Sequence, residues 1–310
     1  MVLEKLVPES WLEQKPVYGL LLGIGYSIIG IILASLIFKK DPAIPSVAFT
    51  SLFLIPIIRK VFLLEEQEKT RDSKFRWNLL FNQHKDVFFT YFFLFFGIFL
   101  VFSVAAAVLP GFQVNKLFRE QLGLRAGAAT GALAISDQTF ALNPEHPLLP
   151  GQQRQSVFFV ELFWNILKNN WWVFLATLAI GLIAGDGGVF FITWNASVWG
   201  TIFGVTARNA AIFHSGSALV YLGIILGIVF PHMFLEIGSY ILAGIGAGMF
   251  SMSIGEEKFL SEKMNKVIAY SVGLVAIGLL FLVAGAIVET YVLGNNATYQ
   301  AIIQASYFGQ

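Results

Sequence analysis

From residue 17 to residue 38 the chain runs twenty-two residues without one charged side chain. A bilayer-crossing helix needs about 20 apolar residues, and inside hydrocarbon every backbone polar group must be satisfied within the segment. Comparable runs recur at 43–64, 87–109, 157–184, 189–206, 231–254 and 267–288. The first of these is interrupted by Arg59 and Lys60, whose long stems let their charges snorkel to the interface. It reads as the return arm of a transmembrane hairpin, with an interfacial helix as the alternative. Charged residues make up 13% of the 310 positions, against about 25% in soluble domains. The expected architecture is an all-α polytopic membrane protein with about six transmembrane helices plus interfacial or re-entrant helices.

Several function classes drop out early. A net charge of +1 gives no footing for nucleic acid. The chain has no cysteine, so thiol chemistry, disulfides and zinc–thiolate sites are excluded. The four histidines, at 84, 145, 214 and 232, share no metal-ligand spacing, and no cofactor is expected. The first apolar run is longer than a signal-peptide core and lacks a cleavage site, so it is expected to stay as an anchor.

Two units are expected along the chain. Residues 1–86 form a transmembrane hairpin followed by a charged cytoplasmic helix, with 1–16 as an interfacial segment. Residues 87–310 form the transmembrane core. Within it, 110–156 is a long polar connection, 185–188 is a glycine-rich turn and the end of the chain is a polar tail. Asn169 and Asn170 precede a tryptophan pair that marks a helix entering the bilayer.

The polar residues inside the apolar runs carry the functional question. If a helix starts at Pro231, then His232, Glu236, Tyr240, Gly244 and Gly248 fall on one stripe. A carboxylate at membrane depth is expensive and is a functional-site candidate. The competing reading is structural: a Glu near a helix N-terminus is stabilised by the macrodipole. Gly244 and Gly248 make a small-residue track for close helix approach, and Gly200 and Gly204 make a second one. The two tracks are expected to meet. Asn195, on the helix of the second track, is expected to hydrogen-bond across helices. As one helix, 217–253 would measure about 55 Å against about 30 Å of hydrocarbon. A break at Pro231 is therefore expected, with 217–230 re-entrant.

Three blocks of the chain resemble the stage II sporulation protein M family of integral membrane proteins. One is 163–185, where Asn169-Asn170 leads into a span ending in Gly185. The second is Thr193-Trp194-Asn195 with Gly200 following. The third is Pro231-His232-x-x-x-Glu236, continued by Tyr240-x-x-Ala243-Gly244-x-x-x-Gly248. The N-terminal part is similar to the family's archaeal branch through Glu13-Gln14-Lys15-Pro16-x-Tyr18, Phe53-Leu54-Ile55-Pro56 and Leu64-Glu65-Glu66. Met233 departs from the Gly that family members tend to carry after the motif His. The resemblance implies a non-enzymatic scaffold or membrane-remodelling component acting with partners.

Residues alone leave three functions in view. A scaffold would use the small-residue tracks to form a homo-oligomer or to bind other membrane proteins. A small-solute permease or channel would place its site at the broken helix near Pro231 and Glu236. An intramembrane enzyme has only the half-site His232-x-x-x-Glu236 and lacks His-Glu-x-x-His. The bilayer is the one partner common to all three. Orientation follows from Lys and Arg. With the N-terminus inside and the C-terminus outside the cell membrane, twelve basic residues fall inside and eight outside. Single cysteines test this cleanly in a cysteine-free chain: Ser73→Cys and Ser261→Cys should label from one side and Asn296→Cys from the other. Labelling of 261 and 296 from the same side contradicts the last span.

Overall fold

The computed structural model describes residues 15–69, 80–124, 158–185, 188–256 and 261–308. The expected interfacial segment before residue 15, part of the charged stretch at 70–79, and most of the polar connection after residue 124 lie outside these residues. In chain order the helices are α1 Tyr18–Ile37, α2 Ala43–Lys69, α3 Leu80–Val108, α4 Gly111–Leu117, α5 Val160–Ala184, α6 Gly188–Phe213, α7 Ala218–Glu256, α8 Glu262–Asn295 and α9 Ala297–Phe308. Among the described residues, seven helices are long and apolar enough to span a membrane. Large apolar side chains such as Leu21, Leu52, Ile183 and Leu280 face outward, as lipid contact requires.

Lipid tails are as apolar as leucine, so these helices gain little from apolar burial against one another and must win contact by close approach. Glycine supplies it at each main seam. On α1 a Cβ at Gly23 would lie 2.5 Å from the Leu94 carbonyl oxygen and 3.1 Å from Gly97 Cα on α3. On α6 a Cβ at Gly200 would lie 2.6 Å from the Phe99 oxygen, and one at Gly204 would run into Ser103 O and Ala106 of α3. The Gly200–Gly204 track thus closes on α3 and not on Gly244 and Gly248. The Gly244 face instead receives α5, where a Cβ at Gly181 would meet Ala247 Cβ at 2.7 Å, and the start of α6, where Ile192 reaches Gly244. Aromatic rings fill the rest. Phe95 meets Trp199 edge-on at 5.9 Å, and Phe92 meets Phe234 at 5.1 Å.

Two expectations about α7 and the chain end fail. The helix runs unbroken from Ala218 to Glu256 through Pro231, so 217–230 is neither re-entrant nor separate. Proline removes one intrahelical hydrogen bond, a cost of about 3 kcal/mol. The leading turns offset it with buried Leu222, Ile225 and Val229 and with Phe230 against Phe96 at 6.0 Å. At about 58 Å the helix exceeds the hydrocarbon and must tilt or project. The polar tail is α9, capped by Asn296 Oδ1 accepting from the Tyr299 amide at 2.9 Å. It is held to α6 by Asn209 Nδ2 donating to the Ser306 oxygen at 3.3 Å.

Several helix-buried hydroxyls are satisfied locally. Ser27 donates to Gly23 O at 2.7 Å and Thr290 to Ala286 O at 2.7 Å, which removes the polar penalty without needing a partner helix. Backbone proximity therefore carries the packing. Gly200→Ala should lower stability by about 1–3 kcal/mol by forcing α6 from α3. Gly25→Ala, with open space at its Cβ, should be neutral or raise stability by up to about 1 kcal/mol. Thermal unfolding in detergent compares them; equal effects would contradict the packing.

Candidate functional site

The sharpest contact between α7 and α8 is built around a carboxylate. Gly285 of α8 lies against Glu236, and a Cβ there would sit 2.9 Å from Glu236 Cγ and 3.4 Å from Leu235 Cβ. Four residues further along α8, on the same face, stands Glu289. The two carboxyl groups lie within hydrogen-bonding reach of each other, and Glu236 is also within reach of the Asn170 amide on α5. Glu236 is 2% exposed. Two carboxyl groups that hydrogen-bond to each other directly must carry a proton between them.

The pair forms the floor of a cavity of about 890 Å³, bounded by α5, α6, α7, α8 and α9. His232, Asn170 and Asn195 join the floor, while Asn165 and Asn169 on α5 and Gln304 on α9 stand toward the exposed rim. The walls are apolar and aromatic, with Trp172, Phe191, Trp194, Trp199 and Phe203. No Lys or Arg is among the described lining residues. Glu236 Oε1 and His232 Nδ1 are buried without a hydrogen-bond partner. A few buried polar groups on an apolar wall are the usual make-up of a small-molecule site.

The sequence candidates now have places. His232, Glu236, Asn169, Asn170 and Asn195 come together at the cavity. Tyr240, one turn beyond Glu236, is buried within electrostatic range of both carboxyls but does not line the space. Gly200, Gly204, Gly244 and Gly248 lie in packing seams outside it. Asn169 and Asn170 lie within α5, which begins at Val160. Two details differ from expectation. Asn195 Nδ2 donates to Phe191 O of its own helix at 2.8 Å, not across helices, because one turn back is the nearest carbonyl an Asn can reach. Glu236 lies eighteen residues into α7, beyond the first turn where the macrodipole acts.

Sequence reading missed Glu289, Gln300 and Gln304. Glu289 had one available signal: Gly285 and Glu289 are four apart, as a close-approach site and its polar neighbour would be. Among the described residues no group of three or more His, Cys, Asp or Glu is placed to hold a metal ion. The site is thus an acid pair with open acceptors.

Coupling between the acids is measurable. Glu236→Leu strands Glu289, and Glu289→Leu strands Glu236, at about 1–3 kcal/mol each. The double substitution should be less destabilised than the sum, with a coupling of about 0.5–3 kcal/mol in denaturation of the detergent-solubilised protein. Additivity of the two would show that the carboxyls do not meet.

Comparison with known proteins places this arrangement in a family. No curated protein and no solved structure matches the chain. The family model Stage II sporulation protein M matches residues 87–292, a stretch that contains α5 to α7 and both acids. The chain is a multi-pass membrane protein that belongs to the stage II sporulation protein M family.

Proposed function

We propose that this protein is a non-enzymatic small-solute permease whose binding site is the cavity over Glu236 and Glu289. The observation that carries this reading is the cavity itself: about 890 Å³ of space with a polar floor near the middle of α5 and α7. Its volume lies in the range of drug-sized ligand sites. Intramembrane ionisable groups that face such a space mark solute or ion pathways. A scaffold reading leans on the small-residue tracks, and those tracks are occupied within one chain: Gly200 and Gly204 by α3, the Gly244 face by α5 and α6. Any homo-oligomer must use the lipid-facing surface.

The cavity runs toward Gln300 and Gln304 at the C-terminal end of α8. With the N-terminus inside the cell membrane and seven crossings, that end faces outward. Ala176 lines the cavity, whereas Ala247 is buried in the seam against Gly181. In right-side-out proteoliposomes Ala176→Cys should react with a small membrane-impermeant thiosulfonate and Ala247→Cys should not. The same vesicles should reswell faster than empty ones in at least one of a neutral, a cationic and an anionic small solute. A protected Ala176→Cys, or reswelling no faster in any solute, would overturn the permease reading.

A further inference from the structure

The cavity is acidic at its floor. Glu236 and Glu289 come from different helices and meet there. Among the described residues no Lys or Arg lines the space, and no group of three or more His, Cys, Asp or Glu is placed to hold a metal ion. The open atoms at the floor are acceptors or can act as acceptors. Glu236 Oε1 is buried and unpartnered. Asn195 has its amide nitrogen committed to Phe191 O, which leaves its oxygen for a donor. His232 is 5% exposed, lines the space and has an unpartnered Nδ1, which accepts when the ring proton is on Nε2. Above this floor, the walls include Trp194, Trp199 and Phe203.

From this arrangement we infer that the two acids of the empty cavity share one proton, and that the cavity takes an organic ammonium ion with an apolar body, which binds between Glu236 and Glu289 in place of that proton. This rests on the solute-permease reading and names its substrate class. A primary ammonium has three N–H donors and no acceptor, matching a floor of carboxylate, amide and imidazole acceptors. Aromatic walls favour the same ligand through cation–π attraction. The bare metal cation is disfavoured because it needs several oxygen or nitrogen ligands at once.

The exchange balances. The empty pair carries one proton and one negative charge. On binding, the ammonium donates hydrogen bonds to both carboxylates, the shared O–H bond breaks, and one proton leaves to solvent. The site keeps one net negative charge. Other titratable groups facing the pair are His232 and Tyr240 on α7. The surfaces that α5, α6 and α9 turn to the cavity bring only amides, apolar groups and the Tyr299 phenol, and α3 packs on α7 through Phe88 and Phe92.

The test uses 2-phenylethylammonium as probe on the full chain in nanodiscs, followed by the fluorescence of the lining tryptophans and by proton release into weak buffer. Saturable binding is expected, with about one proton released per ligand and affinity rising about tenfold per pH unit while the pair is protonated. The neutral isostere 3-phenylpropan-1-ol should bind at least tenfold more weakly. Glu289→Gln should abolish proton release while keeping the thermal unfolding temperature, and Glu236→Gln provides the second variant if the first fails to fold. Equal binding of the alcohol, unchanged proton release in either variant, or no ammonium binding in a protein whose Ala176→Cys is labelled would each overturn the inference while leaving solute permeation standing. A protected Ala176→Cys removes both.

Discussion

The close seam between α7 and α8 is the contact on which the site depends. It is made four times along the helices: a Cβ at Gly246 would lie 2.9 Å from Ser271 O, one at Gly238 would lie 2.9 Å from the Phe281 ring, one at Gly278 would lie 3.1 Å from Ser239 O, and one at Gly285 would press on Glu236. These fixed approaches set the rotation and the height of α8 on α7. Only in that register does Glu289 arrive beside Glu236. A shift of one residue would turn one acid about 100° away and strand the other in an apolar interior.

The cavity follows from how the other helices are shared out. α5 is fastened to α7 through Gly181, and α6 is fastened to α3 through Gly200 and Gly204. The two are consecutive in sequence, yet each takes its closest contact elsewhere, so they diverge beyond the turn at Gly185. That turn needs glycine, since its φ of +57° is costly for other residues. α9 folds back beside the gap and contributes Gln300 and Gln304. Tight seams on either side thus hold open a space that Asn170, Asn195 and His232 make polar.

Much of this was readable from residue order, in proportion to how local the cause is. Helix content and the membrane environment follow from apolar runs, which no soluble packing accommodates. The convergence of His232 and Glu236 follows from their spacing of four on one helix. What could not be read is which surface meets which. Gly200 and Gly244 lie on equally plausible tracks, and their partners are decided by the whole bundle. Glu289 was read as the end of the last span because apolarity fades there, whereas α8 continues to Asn295. The expected break at Pro231 came from fitting helix length to bilayer thickness. Tilt and projection relax that constraint, and ring packing on α3 stabilises the unbroken helix.

The central claim is the register that brings the two acids together, and a disulfide measures it directly. The Cβ positions of residues 235 and 285 lie 3.4 Å apart, close to the separation that a disulfide spans. In the cysteine-free background, Leu235→Cys with Gly285→Cys should form an intrachain disulfide in native membranes under mild oxidation. Peptide mass analysis would read it, with Gly246→Cys and Leu274→Cys, at 3.5 Å, as the control pair. Free thiols at 235 and 285 under conditions that join 246 to 274 would mean that α8 does not present Glu289 to Glu236.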